Sequence, residues 1–93
     1  MAIAMETIAQ GLHLTPTELM QRSLRAFLEH EARAVQLDID DLRDRYRVNS
    51  AVELHAQIEA GVVYSHPAWE EYIEWQTLET QLIRLQRWSE ELR

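Results

Sequence analysis

The residues with the clearest chemical potential lie between positions 63 and 75, in the stretch VYSHPAWEEYIEW. His66 and Glu70 are four residues apart, so on a regular helix they would share a face, as a proton relay or a metal site requires. Pro67, however, is typical of the first position of a helix, with His66 or Ser65 as the cap, and early acidic residues complement the helix dipole. We therefore interpret this stretch as a helix start rather than a catalytic site.

Two further clusters of ionisable residues invite a metal interpretation. His30 lies between two glutamates, but no other ligand falls on its helical face and no HExxH motif is present. The aspartates at 38–44 alternate with arginines and lack the Gly and Glu that a calcium loop needs. The chain also has no cysteine, no glycine-rich phosphate loop and no nucleophile beside a base. The sequence therefore predicts no catalytic residue, no cofactor and no metal site, and a protein that is not an enzyme.

Length and composition set the scale of the fold. A chain of 93 residues forms a single domain, and it buries only roughly 60–65% of its unfolded surface, so its own core is marginal and oligomerisation is expected. Hydrophobic residues make up 46% of the chain, with only two Gly and two Pro, which favours a folded, mostly helical protein. No apolar run approaches the length of about 18 residues that a membrane span needs. With no export signal recognised either, we expect a cytoplasmic protein without membrane contact.

The charge of the chain indicates the kind of partner it would bind. Sixteen acidic residues stand against nine basic ones, and the net charge is −7. This balance disfavours binding to the phosphate backbone, so we expect contact with nucleic acid only through a partner complex. It favours a basic protein partner.

Helix boundaries are marked by local signals along the chain. Thr15 and Glu18 enclose Pro16 in a capping box, which predicts a helix through about Leu37. Asp38 then has the character of another cap, and this leaves open either a new short helix or a kinked continuation. The apolar residues of this region have helical spacing and are Met20, Leu24, Phe27, Leu28 and Val35.

Similar signals mark a third helix in the middle of the chain. Ser50 and Glu53 form a second capping box, and Gly61 follows where a left-handed residue ends a helix. Residues 62–64 are β-branched or aromatic and are expected to run extended for a few positions.

The C-terminal segment, from Pro67 to about Leu92, has no Gly and no further Pro, and we predict that it is the longest helix. Its apolar residues form a heptad-like seam and also extend to other sides of the helix, so one small core would not cover them all. Whether the seam is core or an interface stays open at this point. The residues predicted to contact a partner or a second subunit are Tyr72, Trp75, Leu78, Leu82, Leu85, Trp88 and Leu92.

Together these signals predict an all-α fold, with a single helical domain over residues 1–93. We expect about four helices, with a long C-terminal helix, assembled as an oligomeric bundle. Residues 1–14 are compatible with a short helix that ends at Gly11 or with an extended or flexible arm.

The order of these segments resembles a known class of small proteins. The runs TPTELMQRSLRAFLEHEA, LDIDDLRDRYRV and NSAVELHAQIEAGVVYSHPAWEEYIEWQTLETQLIRL are similar, in size, charge and helix order, to the small acidic antitoxins of prokaryotic type II toxin–antitoxin pairs. This resemblance implies a homodimer that binds and masks a basic, ribonuclease-like toxin. The chain lacks the basic N-terminal cluster with which such proteins bind DNA. The alternative function is a structural subunit of a homo-oligomeric helical bundle.

Overall fold

A computed structural model describes residues 4–93 of the chain, and within that range the regular structure is entirely helical. The helices are α1 (Met5–Gly11), α2 (Pro16–Tyr46), α3 (Ala51–Glu59) and α4 (Ser65–Glu91). The predicted all-α fold class is confirmed. Of the two alternatives for residues 1–14, the structure has the short helix over 5–11, while residues 1–3 lie outside the described range.

The start of α2 has the capping box that the sequence predicts. The backbone N–H of Glu18 donates to Thr15 Oγ1 at 3.0 Å, and the backbone N–H of Thr15 donates to Glu18 Oε1 at 3.3 Å. Pro16 occupies the first turn, where its missing N–H leaves no hydrogen bond unmade. These local contacts fix where the helix begins.

The two long helices differ in length from the prediction. α2 continues through Asp38 as one helix of 31 residues, whereas α4 has 27, so the prediction that the C-terminal helix is the longest was wrong. The aspartates are tolerated inside α2 because Asp40 accepts hydrogen bonds from Gln36 and Arg43, both at 3.0 Å, while Asp38, Asp41 and Asp44 are exposed to water. With no Gly or Pro between positions 17 and 60, nothing else ends the helix early.

The start of α3 differs from a full capping box in one contact. Ser50 Oγ accepts from the backbone N–H of Glu53 at 3.2 Å, as predicted. The Glu53 carboxylate, however, accepts from the backbone N–H of Asn49 at 2.7 Å, one residue further back than the box requires. The backbone N–H groups of Asn49 and Glu53 thus both have acceptors, and the helix begins where the sequence predicts.

The end of α3 is a Schellman motif centred on Gly61. Its φ of 73° lies in the left-handed region that glycine adopts without strain. The N–H of Val62 donates to the carbonyl of Gln57 at 3.0 Å, and the N–H of Gly61 donates to that of Ile58 at 3.2 Å. Of the extended run expected at 62–64, Val62 and Val63 form bends and Tyr64 is extended, and α4 becomes regular after His66, whose backbone is also extended.

α2 and α4 run antiparallel, because the end of α2 contacts the start of α4 through Arg45 and Glu71, and Arg25 reaches Leu92 near the opposite tips. α3 packs beside them over one half of their length only. The core therefore lies where three helices meet, and its buried residues are Ile39, Leu42, Val48, Ala51, Leu54, Ala68, Trp75 and Leu78.

The molecule is elongated because its two long helices lie side by side and α3 adds width over only half of their length. Its dimensions are 60 × 29 × 16 Å and its radius of gyration is 19.3 Å, against about 12 Å for a compact domain of this length. We call residues 38–79 the closed end, which contains α3 and most of the core. We call residues 5–37 and 80–93 the open end, where the short α1 and two bare helices remain.

Candidate interaction surfaces

The seam of α4 faces α2 along its whole length, but the degree of burial falls towards the open end. Trp75 and Leu78 are buried, whereas Leu82, Leu85 and Leu92 are only half-buried. The change occurs where α3 no longer covers the third side of the helix pair. The seam is therefore first an intramolecular contact, and its second half lies in an incompletely covered core.

Two of the seven residues predicted to contact a partner or a second subunit are buried in the structure. Trp75 and Leu78 lie inside the chain's own core, so neither side chain is accessible to a partner or a second subunit. Tyr72 is half-buried and packs against the same core. Trp88 keeps 44% of its surface exposed, and among the seven predicted residues it is the strongest candidate for an anchor.

A second apolar surface on α2 was not recognised as a surface from the sequence. Met20, Leu24 and Phe27 are 49%, 47% and 59% exposed, and their spacing of four and three places them on one helix face. Their neighbours in the same sequence pattern, Leu28 and Val35, turn towards α4 and are half-buried. The apolar stripe of α2 is thus wider than α4 can cover, and its outer part is exposed.

Leu24 lies where two open apolar depressions meet. One has a volume of about 500 Å³ and lies between α1 and α2; the other, of about 270 Å³, lies between α2 and α4 and includes Trp88. The surface is therefore continuous across all three helices of the open end. We call it the apolar flank, and its residues are Met5, Ile8, Met20, Leu24, Phe27 and Trp88.

A groove continues from the apolar flank towards the closed end. It has a volume of about 280 Å³, and besides Val35, Leu85 and Trp88 it is lined by Glu31 and Arg84. The Arg84 guanidinium lies 5.1 Å from the centre of the Trp88 ring, in a cation–π arrangement. The edge of the apolar flank therefore carries one positive and one negative side chain within reach of the same groove.

The opposite side of the open end has a different character. The depression there is lined mainly by polar and charged residues from both helices, which are Glu29, Ala32, Arg33, Gln86, Ser89, Glu90 and Arg93. The open end thus has one apolar side and one polar side, as expected for a surface that meets another protein on one side and water on the other.

Charge is divided unevenly between the two ends of the molecule. The closed end carries ten acidic residues and three arginines, and so holds the whole net charge of −7. The open end carries six acidic residues and six arginines, and is neutral. The acidic character of the chain is therefore a property of one end of the molecule.

Most of the acidic side chains at the closed end remain available. Asp40 pairs with Arg43 at 3.0 Å, and Glu71 with Arg45 at 2.6 Å. Six others are exposed and make no ion pair within residues 4–93, and these are Asp38, Asp41, Asp44, Glu53, Glu74 and Glu79. They come from all three helices of this end, so the closed end presents an acidic surface on several sides.

Glu71 belongs to a small polar group at the edge of the core. It accepts from Arg45 through one carboxylate oxygen and lies near Tyr46. Burial, together with the nearby Glu71 carboxylate, raises the pKa of Tyr46 to about 12. The three residues join the end of α2 to the start of α4, and their role is to hold the closed end together.

His66 and Glu70, which the sequence places four residues apart in the stretch 63–75, are in contact in the structure. His66 Nδ1 lies 2.9 Å from Glu70 Oε1, and both side chains are exposed. The hydrogen bond with His66 lowers the pKa of Glu70. No third ligand joins them, and within residues 4–93 no group of three His, Asp or Glu side chains is placed to hold a metal ion. The pair closes the first turn of α4, in keeping with the interpretation as a helix start.

An aromatic cluster lies where α3 packs against the first turns of α4. His55 lies with its ring centre 5.0 Å from that of Tyr72 and 6.0 Å from that of Trp69, and Trp69 lies 5.5 Å from Tyr72. The tilted rings are typical of packing contacts between helices. This cluster fixes α3 on α4.

The fold and its surfaces define an all-α, elongated helical-hairpin protein with a neutral apolar end and an acidic end. The chain belongs to the family described as the Uncharacterized protein MJ0235 family, whose sequence model matches residues 1–93. Neither a curated protein nor a solved structure matches the chain. Within residues 4–93, no helix combines the length and the apolar character that crossing a membrane demands.

Proposed function

We propose that this chain is a non-catalytic interaction protein that dimerises and binds a basic protein partner. The observation that carries the proposal is the separation of two surfaces: the apolar flank lies on the neutral open end, and the net charge of −7 lies on the closed end. A single binding surface would not need this separation. Two surfaces allow self-association and partner binding to occur without competing.

The partner of the closed end is basic because of the charge that it would meet. Six exposed acidic side chains without an ion pair raise the local concentration of a positively charged protein and speed its association. Arginine- or lysine-rich surfaces would pair with these carboxylates, and nucleic acid would be repelled. The partner is therefore a basic protein.

An antitoxin is the more specific form of this proposal. An acidic homodimer that masks a basic ribonuclease-like toxin is what the resemblance to type II antitoxins implies, and the acidic closed end has the charge that such a partner requires. A neighbouring reading frame that encodes a small basic protein would identify the candidate toxin. Growth arrest by that protein, relieved by co-expression of this chain, would establish the role.

The alternative is a structural subunit of a homo-oligomeric helical bundle. The apolar flank alone would account for that function, and the acidic end would then serve only solubility. The two functions differ in what neutralising the closed end does. A structural subunit would keep its function without those charges, whereas an interaction protein would lose its partner.

The test uses a variant in which four exposed acids are made neutral: Asp41→Asn, Asp44→Asn, Glu74→Gln and Glu79→Gln. The native chain is used as bait in a lysate of its source, and a bound protein is identified, purified and titrated against both forms. We expect a basic protein whose affinity falls at least about tenfold in the variant and falls further with added salt. A control neutralises two acidic residues, Glu29 and Glu90, on the polar side of the open end and should bind as the native chain does. A partner that binds both variants equally well would contradict the proposal.

A further inference from the structure

We propose that the apolar flank is the dimer interface, and that two open ends pack against each other in opposite directions so that the closed ends lie at the two extremes of the assembly. This inference rests on the dimerisation included in the proposed function and specifies its surface and geometry. In such a dimer the open halves of two α2 and two α4 helices form a four-helix arrangement. The second half of the α4 seam, which α3 leaves uncovered, would then lie in the centre of this four-helix arrangement.

The exposed area of the chain fits one missing partner of this kind. A compact monomer of 11.0 kDa exposes about 5,600 Å² of surface, whereas this chain exposes 7086 Å². The excess, about 1,500 Å², exceeds the roughly 800 Å² per partner of a standard protein interface. The chain as a whole therefore exposes more surface than a compact monomer, by an amount sufficient for a stable dimer interface.

The distribution of charge favours a second copy of the chain, rather than a basic protein, as the molecule that binds the flank. Two molecules that each carry −7 repel one another unless they meet where that charge is absent. The open end is neutral, and its apolar flank lies away from the acidic residues of the closed end. A basic protein would gain nothing from a neutral surface and would be drawn to the other end. Self-association is thus favoured on the flank.

The polar edge of the flank is complementary to itself. Arg84 and Glu31 line the groove beside Trp88, and Glu91 borders the neighbouring depression. In a two-fold interface each residue of one copy faces the matching surface of the other, so an arginine and a glutamate on the same edge can pair across the axis. The apolar centre is then bordered by opposite charges from the two copies.

The geometry sets a length that can be measured. α2 contributes residues 16–37 to the open end, which span about 33 Å along the helix. Two molecules of 60 Å that overlap over that length form a particle of about 90 Å. A dimer in which both molecules pointed in the same direction would remain near the length of one molecule. Small-angle scattering distinguishes the two arrangements directly.

The first experiment places a charge in the flank. Phe27→Glu introduces a carboxylate where the second copy would pack, and Leu37→Glu introduces the same charge on the same helix at an exposed leucine outside the flank. We expect the mass measured by light scattering to fall to that of the monomer for F27E at micromolar concentration, with the native value for L37E. Circular dichroism should give the same helicity for both variants. Equal masses for F27E, L37E and the native dimer would overturn the proposed location.

A second experiment does not depend on how well the charged variants fold. The chain has no cysteine, so single-cysteine variants can report contacts in an otherwise native protein. We expect M20C, L24C or F27C to form a disulfide-linked dimer under mild oxidation, because side chains near a two-fold axis meet their own copies. L37C should stay monomeric on a non-reducing gel. Cross-linking through L37C, without cross-linking at any of the three flank positions, would contradict the interface.

Failure of this inference can be separated from failure of the proposed function. A dimer that keeps its mass in F27E and cross-links elsewhere would contradict the surface while leaving dimerisation intact. A chain that is monomeric at all concentrations would contradict both the proposed interface and the dimerisation that the proposed function includes. Binding of the basic partner by a monomeric F27E chain would assign the two activities to separate ends.

Discussion

Arg25 and Leu92, which are 67 residues apart in the chain, are joined at the open end by a hydrogen bond of 2.7 Å from the Arg25 guanidinium to the Leu92 carbonyl oxygen. The bond supplies a donor to a carbonyl at the C-terminal end of α4, where none remains within the helix. It also fixes the tip of α4 against α2, in the half of the molecule where α3 gives no support.

The first prediction concerns that contact. Arg25→Ala should destabilise the open end by about 1 kcal/mol, since a partly exposed charged hydrogen bond is lost. Amide hydrogen exchange at residues 85–92 should accelerate, while exchange around Trp75 is unchanged. Arg22→Ala, at an exposed arginine on the same helix, is the control and should alter neither region. Equal protection of residues 85–92 in both variants would show that the hydrogen bond does not hold the tip.

The second prediction separates the roles of two tryptophans. Trp75 is fully buried and Trp88 is 44% exposed. Trp75→Ala should cost about 3–5 kcal/mol of folding stability, because it leaves a cavity among α2, α3 and α4. Trp88→Ala should keep the native helicity but weaken self-association by about 2 kcal/mol or more, as expected of an interface anchor.

Urea unfolding and light scattering on both variants measure the two effects. For W88A, unfolding should be compared at a concentration at which the native chain is also dissociated, so that association does not contribute to stability. Loss of helicity in W88A similar to that in W75A would assign both residues to the folding core. Native association in W88A would remove Trp88 from the interface.

The third prediction concerns alkaline pH. Burial raises the pKa of Tyr46 to about 12, above its ordinary value in the unfolded chain. The neutral phenol is therefore favoured in the folded state. Its contribution to the free energy of unfolding is fully present below about pH 10 and is lost as pH rises through about 12. In an absorbance titration, one phenol should ionise near pH 12 in the native chain, and the Tyr46→Phe variant should show no ionisation at that pH. An unchanged titration in Y46F would contradict the assignment.

The fourth prediction concerns the first turn of α4. The hydrogen bond with His66 lowers the pKa of Glu70, so His66→Ala should raise that pKa towards the ordinary value of a glutamate. The contribution of this pair to stability is present above the unfolded-state pKa of Glu70 and is lost as pH falls through the folded-state pKa. A carboxyl NMR titration of both chains measures the change. Tyr64→Ala, at an exposed neighbouring residue, serves as the control. The same Glu70 titration in all three chains would show that His66 is not the cause.

The sequence predicts local features well where neighbouring residues determine them. Thr15 and Glu18 cap α2 as expected, and Gly61 ends α3, because each signal needs only a few residues in contact. Asp38 was ambiguous because an aspartate suits both a cap and an exposed helix position. Only the packing of the second half of α2 in the core decides that the helix continues.

The two proposed interaction surfaces could be predicted only in part. Helical spacing identifies the apolar stripes, but it does not tell which part of a stripe another helix will cover. Met20, Leu24 and Phe27 follow the same pattern as Leu28 and Val35, yet the first three lie beyond the part of α2 that α4 covers, in the half of the hairpin that α3 leaves bare. For the same reason, Trp75 is buried and Trp88 is exposed. The division of charge between the ends likewise becomes visible only once the fold places residues 38–79 together.

The mass of the native chain in solution tests the central claim most directly, since the proposed dimer requires that the open end is covered by a second copy. Light scattering should be recorded between about 1 and 100 μM in physiological salt. We expect about 22 kDa at the upper concentrations, twice the 11.0 kDa of one chain, as a two-fold dimer requires. A mass of 11.0 kDa throughout the range would contradict the account, because the apolar flank would then remain exposed to water in the free protein.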